Sequence, residues 1–139
     1  GVSGLPRVAH LVRYRAPEVD SIGDKPVAAL MRWTDAVRQI LKEAGLVRVK
    51  EGVEEMDARM LLIVLGKIVE IDSMWQVIVP VYPYWAIGSG QRYAIAAMQA
   101  MQRVGVPSDP RERLQTAMEV AATFDPAVRP PFEVLEGVP

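Results

Sequence analysis

The segment Tyr84-Trp85-Ala86-Ile87-Gly88-Ser89-Gly90-Gln91-Arg92-Tyr93-Ala94-Ile95-Ala96-Ala97 constrains the fold more than any other part of the chain. A hydrophobic strand runs into a Gly-Ser-Gly turn, and the turn opens directly into a helix of small residues. That helix, about Gln91 to Val104, is mostly Ala, Met and Ile, which predicts burial nearly all round. A further helix opens at Asp109-Pro110, with Glu112 completing a capping-box pattern and Leu114, Ala117, Met118, Ala121 and Phe124 forming its apolar stripe.

Upstream, period and punctuation predict two more helices. The first spans about Leu5 to Tyr14, with Leu5, Val8, Ala9 and Val12 on one face, Ser3 as N-cap and Pro17 as its stop. The second spans roughly Pro26 to Ala44, with Asp24 before it and a stripe of Val27, Leu30, Met31, Val37, Ile40 and Leu41. Gly45 is its stop signal. Between the helix pairs lies β-structure. Met60 to Leu65 and Ile68 to Ile71 flank Gly66-Lys67, where a Gly-first loop suits a type II′ hairpin. The near-continuous apolarity of Leu61 to Leu65 predicts a strand covered on both faces. Trp75 to Val79 and Val81 to Ile87 continue the sheet, with breaks near Pro80 and Pro83. A short strand around Phe132 to Leu135 closes the chain, and Val47 to Asp57 reads as a charged connector. Helices grouped on both sides of a largely antiparallel sheet predict an α+β domain, an αββα sandwich or a piece of one.

The 139 residues, half of them apolar, suffice for one core and one domain. The formal net charge is −1 with Lys and Arg dispersed, which argues against nucleic-acid or membrane-surface partners. The absence of cysteine excludes disulfides and thiolate metal sites and fits a reducing, cytoplasmic setting. Lys67, Glu70 and Asp72 interrupt the most apolar stretch before it reaches spanning length. No signal pattern opens the chain and Gly1 stands where Met would, so a processed chain or a portion of a longer product is expected.

Each candidate site residue has a plain packing role to set beside a functional one. Ser89 after a tight turn reads as a helix N-cap, and a phosphate cradle lacks the following Lys-Ser/Thr and the parallel βαβ unit. His10 is the only histidine, and no Gly-x-Ser-x-Gly elbow accompanies it. Glu54, Glu55 and Asp57 form an acidic knot that reads as a solvated loop before it reads as a cation site. Met98, Met101 and Met118 are core residues first, and Trp33 and Trp75 are core or interface anchors.

The Ile87-Gly88-Ser89-Gly90 turn with Tyr93-Ala94 and Ala96-Ala97 resembles the corresponding turn and core helix of the proteasome β-subunit family of N-terminal nucleophile hydrolases, in particular the bacterial and phage-type threonine peptidases. Gly1-Val2-Ser3-Gly4 is similar to the glycine-bearing turn that starts the family's first helix, and Met60 to Val64 to the strand after its helix pair. Phe124-Asp125 through Leu135 is similar to the closing segment, loosely paired because of Pro126, Pro130 and Pro131. The resemblance implies a four-layer αββα sandwich whose leading strands are missing from this chain. It implies peptide-bond hydrolysis by a Thr, Ser or Cys at the first mature position, whose own α-amine is the base. By the same resemblance Gly1 falls in the oxyanion turn with Gly4 shaping that loop, Ser89 is the Gly-Ser-Gly serine, and Asp125 is the nearest match to a late acidic residue that helps hold the N-terminus. The nucleophile, and the early lysine that keeps the amine neutral, have no counterpart in this sequence.

The expected function is therefore a threonine-type peptidase subunit of a homo-oligomeric ring, with its nucleophile outside these residues. Its expected partners are a peptide or protein substrate and an ATPase unfoldase, and no cofactor or metal is expected. A non-catalytic assembly protein that retains the fold is the alternative. A small-molecule amidohydrolase, which would need a closed pocket, is a third.

Overall fold

The computed structural model describes residues 2–4, 6–17, 26–64, 66–106 and 109–135. They form two compact units, 1–81 and 82–139.

In the first unit, β1 (Val2–Gly4), β4 (Ala58–Val64), β5 (Lys67–Ile71) and β6 (Val77–Ile78) form a four-stranded antiparallel sheet in the order β1-β4-β5-β6. A separate hairpin joins β2 (Val47–Lys50) to β3 (Val53–Met56). The pairs Met60–Ile71 and Leu62–Val69 place Ala58, Met60, Leu62, Val69, Ile71 and Val77 on one sheet face. Most of that face packs with Val8 of α1 (Pro6–Arg15) and with Trp33, Val37 and Leu41 of α2 (Pro26–Glu43) to make the core. Leu41, Met60 and Ile71 are fully buried, and each stabilises the fold by about 1.5–3 kcal/mol relative to exposure.

The ends of α2 and β1 follow from their residues. Gly45 adopts a left-handed φ of 71°, its N–H reaches the Lys42 carbonyl, and the Leu46 N–H reaches the Leu41 carbonyl. Those two bonds close a Schellman cap. Gly4, at φ 113°, pairs with Ala58 so closely that a Cβ there would sit 2.2 Å from the Asp57 carbonyl oxygen. No side chain fits that approach.

Several local expectations change. Ser3 pairs with Arg59 inside β1 instead of capping α1. Asp24 and Leu65 lie outside the described residues. In α2, Met31 is exposed, while Trp33 and Thr34 are buried in its place. The Trp33 indole donates to the Pro17 carbonyl at 2.9 Å, a core role. The 47–57 connector is a hairpin: Glu51 and Gly52 both have positive φ, 51° and 83°, as a type I′ turn requires. Val64 pairs with Lys67, so Lys67 belongs to β5 and Gly66 does not open the β4–β5 connection. Gly66, at φ 70°, directly precedes the paired Lys67, a position where a type II′ turn would not need positive φ. Coverage of β4 is uneven. Met60 is fully buried and Ile63 is 77% exposed, whereas in β5 Val69, Glu70 and Ile71 are buried in succession. Glu70 lies on the face opposite Met60 and accepts from Arg59 at 3.3 Å. Trp75 packs against the core at a strained φ of 66°, in a turn whose amides Met74 and Gln76 donate to the Asp72 carboxylate. The sheet after it shrinks to the two residues of β6, and 81–87 is irregular.

In the second unit, α3 (Gln91–Val104) packs against α4 (Pro110–Phe124) through Ala94, Met101, Ala117 and Ala121. Small residues let the helices approach closely. Asp109 caps α4 by accepting from the Arg111 amide at 3.0 Å. Gly105, left-handed at φ 72°, ends α3. Its surround is one-sided, because Arg92, Ala96, Ala100 and Gln102 are exposed. Ala carries so little apolar area that its presence does not mark a buried face. Residues 131–135 form no strand. No helix among the described residues is long and apolar enough to cross a membrane.

Candidate functional site

The Gly-Ser-Gly turn meets the end of α4 within the second unit. Gly88 takes φ 104°, a conformation that favours glycine. Its carbonyl accepts from the Gln91 amide, and the Gly90 carbonyl accepts from Tyr93 and Ala94. Gly90, not Ser89, is the N-cap of α3, and it makes no side-chain cap bond. A Cβ on Gly90 would lie 2.7 Å from Val128 Cγ2, 3.2 Å from Ala121 Cβ and 3.8 Å from Asp125 Oδ2. The absent side chain is what lets the turn press onto the end of α4.

That contact frees Ser89 from capping and brings it to Asp125. The exposed Ser89 hydroxyl donates to the Asp125 carboxylate. On the other side Asp125 Oδ1 accepts from the Ala127 amide at 2.9 Å. These two bonds, with a smaller contribution from the Arg92 charge, outweigh partial burial and hold the Asp125 carboxyl below its ordinary value. Asp125 is therefore an anion at neutral pH, fixed by a hydroxyl and an amide and faced by a cation. Such a corner can hold an amine or ammonium group, because the serine oxygen keeps lone pairs free to accept from it.

Two of the three residues expected at the site are thus brought together, while Gly1 lies outside the described residues. Gly4, expected to shape the same loop, is described, and its geometry permits glycine alone. Arg92, Gly90 and the Ala127 amide belong to the same corner. Of these only Gly90 stood out in the sequence, because an amide donor and a single exposed arginine carry no pattern.

Other candidates resolve into structural roles. Glu54 accepts from Arg38 at 2.7 Å and Lys42 at 2.6 Å, and these contacts, Lys42's foremost, lower its pKa. Asp57 pairs with Arg48 at 2.6 Å. The acidic knot therefore includes two ion-paired carboxylates, and no cluster of metal-ligating side chains occurs among the described residues. Tyr84 is buried and donates to Gln99 Oε1. Burial is the main cause that pushes its phenol up.

No protein-family model matches the sequence, and neither does any curated protein. Solved structures do match. The structure of BPH from Thiobacillus denitrificans superposes with a TM-score of 0.73 at 21% identity, over 94% of this chain and 69% of that one. The same protein in complex with epoxomicin gives 0.72 at 23% identity, again over 94% and 69%. Eukaryotic HslV from Trypanosoma brucei gives 0.59 at 26% identity, over 93% of this chain and 69% of that one. BPH, a bacterial proteasome homologue, and HslV are proteasome-like N-terminal nucleophile hydrolases. This chain has the α+β fold of these proteasome-like N-terminal nucleophile hydrolases.

Proposed function

We propose that these residues form the supporting part of a threonine-type peptidase subunit, cytoplasmic and assembled as a homo-oligomeric ring, whose nucleophile is contributed from outside the 139 residues. The observation that carries the reading is the Ser89–Asp125 pair at the start of α3, where the family resemblance calls for a hydroxyl and a carboxylate that hold the catalytic amine. In this mechanism the α-amine of the nucleophilic residue takes the hydroxyl proton as that oxygen attacks the peptide carbonyl. Ser89 and Asp125 orient the amine and favour its protonated form as charge develops. By the family resemblance, the backbone N–H of the turn at Gly1 receives the oxyanion, with Gly4 shaping that loop. Protein or peptide substrates follow from this chemistry, and an ATPase unfoldase is the expected partner.

The test is peptidase activity of the full natural protein on a fluorogenic peptide, with epoxomicin as inhibitor, because BPH was solved in complex with it. Activity that epoxomicin abolishes, and that Ser89→Ala reduces roughly 10²-fold by misplacing the amine, supports the proposal. No hydrolysis and no epoxomicin adduct would overturn it. Mass photometry checks the ring: a protein that stays monomeric counts against assembly.

A further inference from the structure

Helix α1 carries a charge pattern that no ion pair among the described residues uses. Its ten residues include Arg7, Arg13 and Arg15 and no carboxylate, in a chain whose formal net charge is −1. All three arginines are exposed, and among the described residues none is in an ion pair. Arg13 and Arg15 sit in the last turn, where the helix dipole favours cations. Arg7 does not. It follows Pro6 in the first turn, at the positive end of the dipole, where a cation is disfavoured and an acidic residue would stabilise the helix. Helix stability therefore leaves Arg7 unexplained.

The outward face of α1 is also ordered. Val8 is turned into the core. Arg7, His10 and Tyr14 follow at i, i+3 and i+7, so they lie along one stripe of the opposite face. The His10 and Tyr14 rings are 4.7 Å apart, and the Arg13 guanidinium lies 5.5 Å from the Tyr14 centroid. Tyr14 is 65% exposed. Guanidinium groups with aromatic backing present planar donor forks that match carboxylates.

We propose that this face of α1 docks an acidic segment of a partner protein, with Arg7 and Arg13 each receiving a carboxylate and Tyr14 covering the apolar stem between them. Charge complementarity selects the occupant. From Arg7 to Arg15 the helix rises only about 12 Å, the reach of a short peptide rather than a nucleic-acid backbone track. The inference is independent of the peptidase reading, since it uses no residue of the Ser89 corner.

The experiment measures fluorescence anisotropy of a labelled short Glu-Leu peptide, and of its Gln-Leu counterpart, against the full natural protein at low and high salt. The Glu peptide binds, binding weakens with salt, and the Gln peptide does not bind. Arg7→Glu with Arg13→Glu weakens binding about tenfold or more, whereas Lys67→Glu, the same type of reversal at the exposed start of β5, changes it less than about twofold. If the double reversal disturbs the circular dichroism spectrum, Arg7→Gln with Arg13→Gln replaces it, with the same direction expected. Unchanged binding in the arginine variants, an equal loss in Lys67→Glu, or tighter binding of a DNA oligonucleotide or anionic vesicle at this face overturns the proposal.

Discussion

The Ser89 hydroxyl donates to the Asp125 carboxylate, joining residues 36 positions apart in sequence at the mouth of α3. The bond exists because Gly90 takes the cap position and leaves the serine free to turn toward α4. Ser89→Ala therefore raises the Asp125 pKa toward its ordinary 3.8, which a carboxyl-detected NMR titration reads directly. Because the folded-state pKa is depressed, the associated stability is present at neutral pH and is lost as pH falls below 3.8 through the folded value. The stability difference between wild type and Ser89→Ala shrinks over that same acid range.

Gly90→Ala tests the close approach itself. Its methyl meets Val128 Cγ2 at 2.7 Å and Ala121 Cβ at 3.2 Å, and the second neighbour is fixed to a helix. Overpacking of this kind costs roughly 1–3 kcal/mol, seen as a lower urea midpoint. The Ser89–Asp125 bond weakens with it, so the Asp125 titration moves upward in this variant too.

Glu54 is clamped by two cations, so Glu54→Gln removes the ionised centre that ties α2 to the β2–β3 hairpin. The Glu54 pKa is lowered from 4.5, so its contribution is present above that value and fades as pH falls through the folded one. Urea unfolding of wild type and variant differs at neutral pH and converges in acid. High salt narrows the gap at neutral pH as well.

Glu51 holds φ 51° in the type I′ turn, where Asn is better tolerated. Glu51→Asn creates Asn-Gly and stabilises the protein by roughly 0.5–1 kcal/mol, measurable as a raised Tm.

The helices were largely legible because their signals are local: Gly45, Asp109 and Gly105 mark ends by conformations or bonds that the neighbouring residues fix. The β2–β3 hairpin was hidden by its charges. Arg48, Glu54 and Asp57 read as a loop until their ion pairs are seen, while Glu51-Gly52 held the usable turn signal. Apolar content misled at Val81 to Ile87, where Pro83 and the Tyr82–Tyr84 stack accompany irregular backbone. For the site, the turn motif pointed to Ser89, and the resemblance placed Asp125 within a few positions. No local pattern could pair the two, since their contact depends on how α4 returns to the start of α3.

Glu70 makes the β4–β5 alignment self-correcting. Sliding one strand past the other by a single residue would send this carboxylate to the face now filled by Met60 and Ile71, away from Arg59. An unpaired anion among those apolar groups is strongly unfavourable. A slipped register is therefore disfavoured, and a single charged side chain specifies which alignment the two strands keep.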